Sequence, residues 1–302
     1  MSGPVPTRLT LYPMTKLSEK IRWIFLKKRC VVMRGKTWLL LLLSACLASC
    51  AASEPREYQT PISSPTEKKL DDIFRTFVRP RKGQDHGEII NRVSAAFLGT
   101  AYRGGTLIGG PDVKEALVVN FSFVDCTTLI EYVEALSRSH DRETFLRNLV
   151  HIRYANDKVT YTSRRHFFSD WYSRQPRIAR DVTAEISPDY VTVEKDLNRL
   201  PNGEPDLPGI GFTPRKLTYI PAAAINENVL HHLRTGDYVG IYSFGEQEDV
   251  SHVGIVVRHD GRVWFRNASS LPENEKVIDS PFLDYIRFKP GMIVIRAEQT
   301  GY

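Results

Sequence analysis

Two β-rich runs, Ser251-His252-Val253-Gly254-Ile255-Val256-Val257-Arg258 and Val263-Trp264-Phe265-Arg266-Asn267-Ala268, are separated by His259-Asp260-Gly261-Arg262. An Asp-Gly pair between such runs signals a hairpin closed by a two-residue loop. If Asp260 and Gly261 form that loop, His259 pairs with Arg262 and opposed residues have numbers summing to 521. Asn267 then faces Gly254, and His252 faces Ser269. Opposed residues share a sheet face, as do residues two apart, so His252 and Asn267 are diagonal neighbours within side-chain reach, and Gly254 leaves room between them. A three-residue loop would change the sum to 520 and put the two on opposite faces.

The second constraint is Val124-Asp125-Cys126-Thr127-Thr128-Leu129-Ile130-Glu131, which reads as an extended segment turning into a helix. Leu129, Tyr132, Val133 and Leu136 recur at the spacing of one helix face. Asp125 suits the N-cap, where its carboxylate accepts from first-turn N–H groups. Cys126 then opens the helix with its sulfur in the positive end of the macrodipole, a field that favours the nucleophilic thiolate. A small buried apolar cysteine is the other reading.

The net charge of +6 invites a nucleic-acid partner, but it is unevenly spread. Residues 1–36 carry nine Lys or Arg against Glu19, giving +8, and 37–50 carry none, so the remainder holds 6 − 8 = −2. The basic excess belongs to a segment expected to be removed, and nucleic acid is not an expected partner. Met33 to Lys36 form a positive n-region, Trp38 to Leu47 an apolar run too short to span a bilayer permanently, and small residues precede Cys50. Leu47-Ala48-Ser49-Cys50 resembles a bacterial lipobox, which implies lipidation of Cys50 and attachment to the cell envelope. Ala51 after the cysteine points to the outer membrane facing the periplasm. Residues 1–32 add nothing a signal needs, so Met33 is a candidate translation start. Of the four cysteines, Cys30 and Cys46 leave with the signal and Cys50 is lipidated, which leaves Cys126 as one free thiol in an oxidising compartment. Catalysis would explain it.

The expected domains are a targeting segment 1–49, a lipidated cysteine with a Pro-bearing tether 50–68, and one folded domain 69–302. Helices are expected from near Glu67 to Pro80, over Gly87 to Leu98, from Cys126, over Arg142 to Val150, and over Ile225 to Leu233. Strands are expected at Ile152 to Tyr154, Val159 to Tyr161, Leu217 to Ile220 and Tyr238 to Tyr242. Gly and Pro density from Pro201 to Pro214 marks a long, lid-like loop. Tyr102-Arg103-Gly104-Gly105-Thr106-Leu107 is either a turn or a close approach of backbone to ligand. Arg164 to Tyr172 is dense in polar and aromatic groups: a satisfied rim or a substrate subsite.

A thiol at a helix start and a histidine on a hairpin, with an amide acceptor diagonal to it, is the layout of a Cys-His-Asn enzyme. The Cys126 N–H is a natural oxyanion donor, while the Asp125 carboxylate opposes ionisation of the thiol. No metal or cofactor is expected: there is no His-Glu-x-x-His pattern, and His231-His232 are adjacent.

The Asp-Cys-Thr-Thr helix start, the Ser-His-Val-Gly-Ile strand and the Arg-Asn-Ala-Ser-Ser strand end resemble the NlpC-type branch of papain-like cysteine hydrolases. More closely, the chain resembles the bacterial N-acetylmuramoyl-L-alanine amidase-like family. Tyr102 to Leu107, Val118 to Asn120, Arg164 to Trp171 and Leu217 to Pro221 look like further blocks of that family, so the likeness runs from roughly 70 to 300. It implies an α+β fold with an antiparallel sheet packed on the nucleophile helix, extra helices and a lid-like loop. It implies an amidase cutting between N-acetylmuramic acid, intact or in 1,6-anhydro form, and L-alanine of peptidoglycan fragments. Cys126 would be nucleophile, His252 base and residue 267 the third member; Asn267 departs from a histidine common there. Candidate substrate contacts are Tyr102, Gly105, Thr106, Asp125, Arg164, His166, Asp170 and Ser251, and a monomer is expected. Two rivals stand beside this: a stem-peptide endopeptidase on the same fold, and a non-catalytic lipid-anchored peptidoglycan-binding module.

Overall fold

The computed structural model describes residues 57–78 and 85–298. The targeting segment 1–49, Cys50, the tether as far as residue 56 and Pro80 lie outside them. The first half runs α1 (Ser64–Ile73), a π-helical turn Phe74–Val78, α2 (His86–Ala95), β1 (Ala101–Tyr102), β2 (Phe123–Val124), α3 (Cys126–Ser137) and α4 (Arg142–Arg153). There follow α5 (Asp170–Ser173), β3 (Ala179–Asp181), α6 (Thr183–Ile186), β4 (Val191–Leu197), β5 (Thr213–Pro221) and α7 (Glu227–His232). The chain closes with β6 (Tyr238–Tyr242), β7 (Val250–His259), β8 (Arg262–Ala268), β9 (Val277–Pro281), α8 (Phe282–Ile286) and β10 (Gly291–Ala297).

The fold is α+β. An eight-stranded sheet has the order β4-β5-β10-β6-β7-β8-β9, with β3 also on β10, and each of these pairings is antiparallel. Both faces of its centre are covered, so the strands there read as continuous apolar runs. Ile293 and Ile295 of β10 and Val253, Ile255 and Val257 of β7 join the core that holds α1 to α4. Met292, Val294 and Val256 turn the other way, onto Ile225, Val229, Leu230, Phe282 and Ile286.

The main helices start where sequence chemistry dictates. Asp125 accepts from Thr128 N–H at 2.7 Å and its own N–H donates to Thr128 Oγ1 at 2.9 Å, a reciprocal box that Asp141 and Thr144 repeat at α4. Elsewhere the expectations shift. The first helix opens at Ser64, and fully buried Thr66 accepts from Phe121 N–H, so 64–68 belong to the folded part rather than the tether. No strands form at 152–154 or 159–161: α4 continues to Arg153 because Phe145, Leu146, Leu149 and Ile152 extend its buried face. Asn156 and Asp157, at φ 56° and 55°, then turn the chain through the left-handed region. The strand expected at 217–220 is longer, pairing over Thr213–Tyr219 with an unforeseen β4, and α7 is shorter than the 225–233 expected.

Helix α3 is buried almost all round and carries two carboxylates inside. Glu131 accepts from Arg153 Nε at 2.7 Å. Glu134 accepts from the Tyr238 hydroxyl at 2.7 Å, lies 3.0 Å from His86 Nε2 and pairs with Arg138, so one side chain links α2, α3 and β6. Burial pushes the Glu134 carboxyl up, but Arg138, His86 and Tyr238 outweigh it and hold it at about 2, below the ordinary 4.5.

Removing one partner of a buried pair leaves the other charge uncompensated, so Glu134→Ala is expected to lose roughly 3–5 kcal/mol in urea unfolding. A depressed carboxyl stabilises the fold fully above its unfolded pKa and ceases to do so as pH falls through its folded one. The wild-type Tm should therefore fall more steeply between pH 4.5 and about 2 than that of Glu134→Gln.

Candidate active site

The hairpin has the two-residue register: Ile255 opposes Arg266 and His259 opposes Arg262. His252 Nε2 and Asn267 Oδ1 lie 3.0 Å apart. Asn267, 1% exposed, donates its amide nitrogen to Phe265 O at 3.0 Å and Ser280 Oγ at 3.3 Å, which fixes the oxygen toward the imidazole. An amide oxygen only accepts, so Nε2 carries the proton and Nδ1 is left as the basic nitrogen. Gly254 makes the approach possible: a Cβ there would sit 2.6 Å from Arg266 O and from the Phe265 ring. One step before the histidine, β6 pairs Ile241 with His252 but Tyr242 with Val250, so Ser251 is the extra residue of a bulge. Such bulges re-aim side chains beside active sites.

Cys126 is the first residue of α3 and half-buried. Cys126 and His252 line one cavity of about 250 Å³. The backbone N–H of Val253, next to His252, interacts with the sulfur, as does that of Thr127. The Cys126 N–H makes no hydrogen bond among the described residues and is open to an oxyanion. Burial, then the Asp125 carboxylate, push the thiol above its ordinary 9.0 against those backbone donors. Burial pushes the His252 imidazole below 6.5; the Asn267 hydrogen bond opposes this and the Lys289 charge adds to it. The resting pair is therefore thiol and neutral imidazole at pH 7.

The remaining expected contacts separate. His166 and Ser251 line the cavity; His166 Nε2 lies 2.8 Å from Tyr161 O. Tyr102 does not line it, but its hydroxyl feels the charges of Cys126 and Asp125. Asp125 is committed to its cap. Gly105 and Thr106 line a separate depression with Arg103 and Asn120. Arg164 and Asp170 are not in the cavity wall, because their charges are engaged inside the protein. Arg164 makes a two-pronged pair with Glu115 at 2.9 and 2.7 Å, and buried Asp170 pairs with Arg215 at 2.8 Å. The long loop after β4 supplies Asp206 and Leu207 to the cavity, and its neck is pinned by buried Asn198, bonded to Leu207 and Gly211.

The 164–172 block offered as a possible subsite does bring Trp171 to the cavity, but sequence reasoning did not find Gln247 and Glu248 in its wall, nor Tyr285 near His252. Tyr285 sits on a five-residue helix whose pattern says nothing of the hairpin it covers. Among the described residues no group of three His, Cys, Asp or Glu could hold a metal, and no helix is long and apolar enough to cross a membrane.

A family model described as N-acetylmuramoyl-L-alanine amidase-like matches residues 92–292, about two-thirds of the chain and including Cys126, His252 and Asn267. Among solved structures, an N-acetylmuramoyl-L-alanine amidase from Bacteroides uniformis is 28% identical, with a TM-score of 0.61 over 72% of this chain and 100% of that one. A Legionella pneumophila protein has the same fold at 20% identity, with a TM-score of 0.65 over 78% of this chain and 97% of that one. None of the curated proteins matches in sequence.

Alkylation of Cys126 by iodoacetamide, followed on its peptide by mass spectrometry, should rise with pH through a midpoint above 9.0. Because the Asp125 charge holds the thiol up and Asn also caps helices, Asp125→Asn should move that midpoint down with the fold intact. The Asn267 hydrogen bond supports the imidazolium, so Asn267→Ala should lower kcat by on the order of 10²-fold and shift the acid limb of the rate profile, already below pH 6.5, further down.

Proposed function

The chain belongs to the N-acetylmuramoyl-L-alanine amidase-like family, and we propose that it is a cysteine amidase of peptidoglycan fragments with an NlpC-type papain-like core. The observation that carries this reading is the single cavity into which both Cys126 and an imidazole pinned by Asn267 open. The bond cut is the amide between the lactyl group of N-acetylmuramic acid and L-alanine.

His252 Nδ1 takes the thiol proton as Cys126 Sγ attacks the amide carbonyl. The carbonyl π pair moves to oxygen, where the Cys126 N–H at the start of α3 donates to it. Collapse breaks the C–N bond, and His252 delivers the proton to the departing alanine amine. Water, deprotonated by the same nitrogen, then hydrolyses the thioester and restores the thiol. Asn267 holds the ring in one tautomer throughout. We also propose that Cys50 is lipidated and tethers the domain to the outer membrane, facing the periplasm.

Mass analysis of products from defined wall fragments and anhydro-muropeptides tests the reading. Release of an intact stem peptide from the sugar is expected; a shortened stem would instead show a stem-peptide endopeptidase. The raised thiol favours one further reading, a peptidoglycan-binding module without turnover. Cys126→Ala and His252→Ala should each cut hydrolysis on the order of 10⁴-fold or more at unchanged Tm. If the wild type retains peptidoglycan but releases nothing, the binding module is correct.

A further inference from the structure

One wall of the catalytic cavity is also the wall of a second hollow. His166 lines the cavity, its Nε2 lies 2.8 Å from Tyr161 O, and the two rings meet edge to face at 5.0 Å. Tyr161 in turn lines a groove of about 1000 Å³, against about 250 Å³ for the cavity. The long loop after β4 joins the same two spaces. Asp206 and Leu207 face the cavity and Gly209 lines the groove, and two residues of chain span at most about 7 Å. The groove thus adjoins the catalytic cavity along two walls.

The groove is built on buried contacts. Glu115 in its wall is 5% exposed and accepts from Arg164 at 2.9 and 2.7 Å and from the Tyr154 hydroxyl at 2.8 Å. The Arg164 guanidinium lies 5.4 Å from the Tyr161 ring centroid, so that ring is held by a fixed cation as well as by His166. At Gly209 the loop rests on Pro111, where a Cβ would lie 3.6 Å from the proline ring.

Charge divides the two spaces. In the cavity wall Asp206 and Glu248 make no ion pair among the described residues, while the Arg165 guanidinium is turned onto the backbone carbonyls of Asp170, Arg174 and Pro176. In the groove Glu115 is answered by Arg164, and Asp157 lies 2.9 Å from His151 Nδ1. That leaves Lys114 and Lys158, both exposed and without an ion pair among the described residues, against Glu57 alone.

We propose that this groove binds the stem peptide beyond L-alanine through its carboxylates, with Lys114 and Lys158 as the residues that select for them. The proposal takes its ligand from the amidase reading. Stem residues past the alanine carry free carboxylates, whereas the muramyl sugar is uncharged because its lactyl carboxyl is tied up in the scissile amide. An anionic chain leaving Cys126 is repelled by Asp206 and Glu248 and meets its counter-charges beyond the wall of His166 and Tyr161.

The double variant Lys114→Gln/Lys158→Gln alters two exposed side chains, so its Tm should not move. Calorimetry with free stem tetrapeptide should show equal binding to wild type and to Cys126→Ala, and binding about tenfold weaker to the double variant. Amidating the peptide carboxylates, or raising salt to about 0.5 M, should weaken binding to wild type in the same way. The kcat/KM preference for a muramyl tetrapeptide over muramyl-L-alanine should also fall about tenfold in the double variant, through KM. Equal peptide affinity in wild type and double variant overturns the proposal. So does a preference that follows a second sugar instead of stem length and is lost in Tyr161→Ala, which would make the groove a carbohydrate site. Peptide held through the two lysines with no fragment cut would uphold the groove and remove the amidase reading instead.

Discussion

A helix enclosed by protein on nearly every side must satisfy its polar groups without water, and α3 carries two carboxylates there. Glu131 meets Arg153 of α4, and Glu134 meets His86 of α2 and Tyr238 of β6 as well as Arg138 at the helix's own C-terminal end. Apolar packing alone would let a helix slide or rotate by a fraction of a turn at modest cost, whereas misaligned buried ion pairs would not. The contacts to α2, α4 and β6 therefore hold the capped helix in register, and with it the Cys126 sulfur beside β7. Arg138 extends the frame to the far end of the chain through Ile178 O and Glu298 O.

The helix mouth is electrostatically divided. Asp125 makes the cap that starts the helix, and the same carboxylate disfavours ionisation of the thiol next to it. The macrodipole and two backbone donors act the other way. With the imidazole also held below its ordinary value by burial, both shifts act against a preformed thiolate–imidazolium pair. Such an arrangement limits adventitious oxidation of the sole thiol among the described residues, since the thiolate is the oxidisable form.

The hairpin register was legible because Asp-Gly favours a two-residue loop over the three-residue alternative, and from that count came the His252 to Asn267 diagonal. The α3 start was legible because a capping residue and an apolar stripe coincide at Cys126. Other features depend on partners that no local pattern reveals. Arg164 and Asp170 looked available in the sequence, but Glu115 and Arg215, about 49 and 45 residues away, engage them. Ile152 to Tyr154 has strand-like composition, yet a helix already nucleated at Asp141 extends through most of it. β4 lies at the sheet edge with exposed Val191, and β10 owes its central place to neighbours on both sides. Tyr285 is brought to the hairpin by tertiary packing alone.

The bulge at Ser251 has an evolutionary corollary. Side-chain parity along β7 is counted from the tight turn at Asp260 and Gly261, so a change of length upstream of residue 251 need not alter which face carries the imidazole. The stretch between β6 and β7, which supplies Gln247 and Glu248 to the cavity wall, is thus decoupled from the register that orients the histidine. Insertions or deletions in that stretch can be absorbed at the irregular pair, which leaves the wall free to change shape while the imidazole keeps its face.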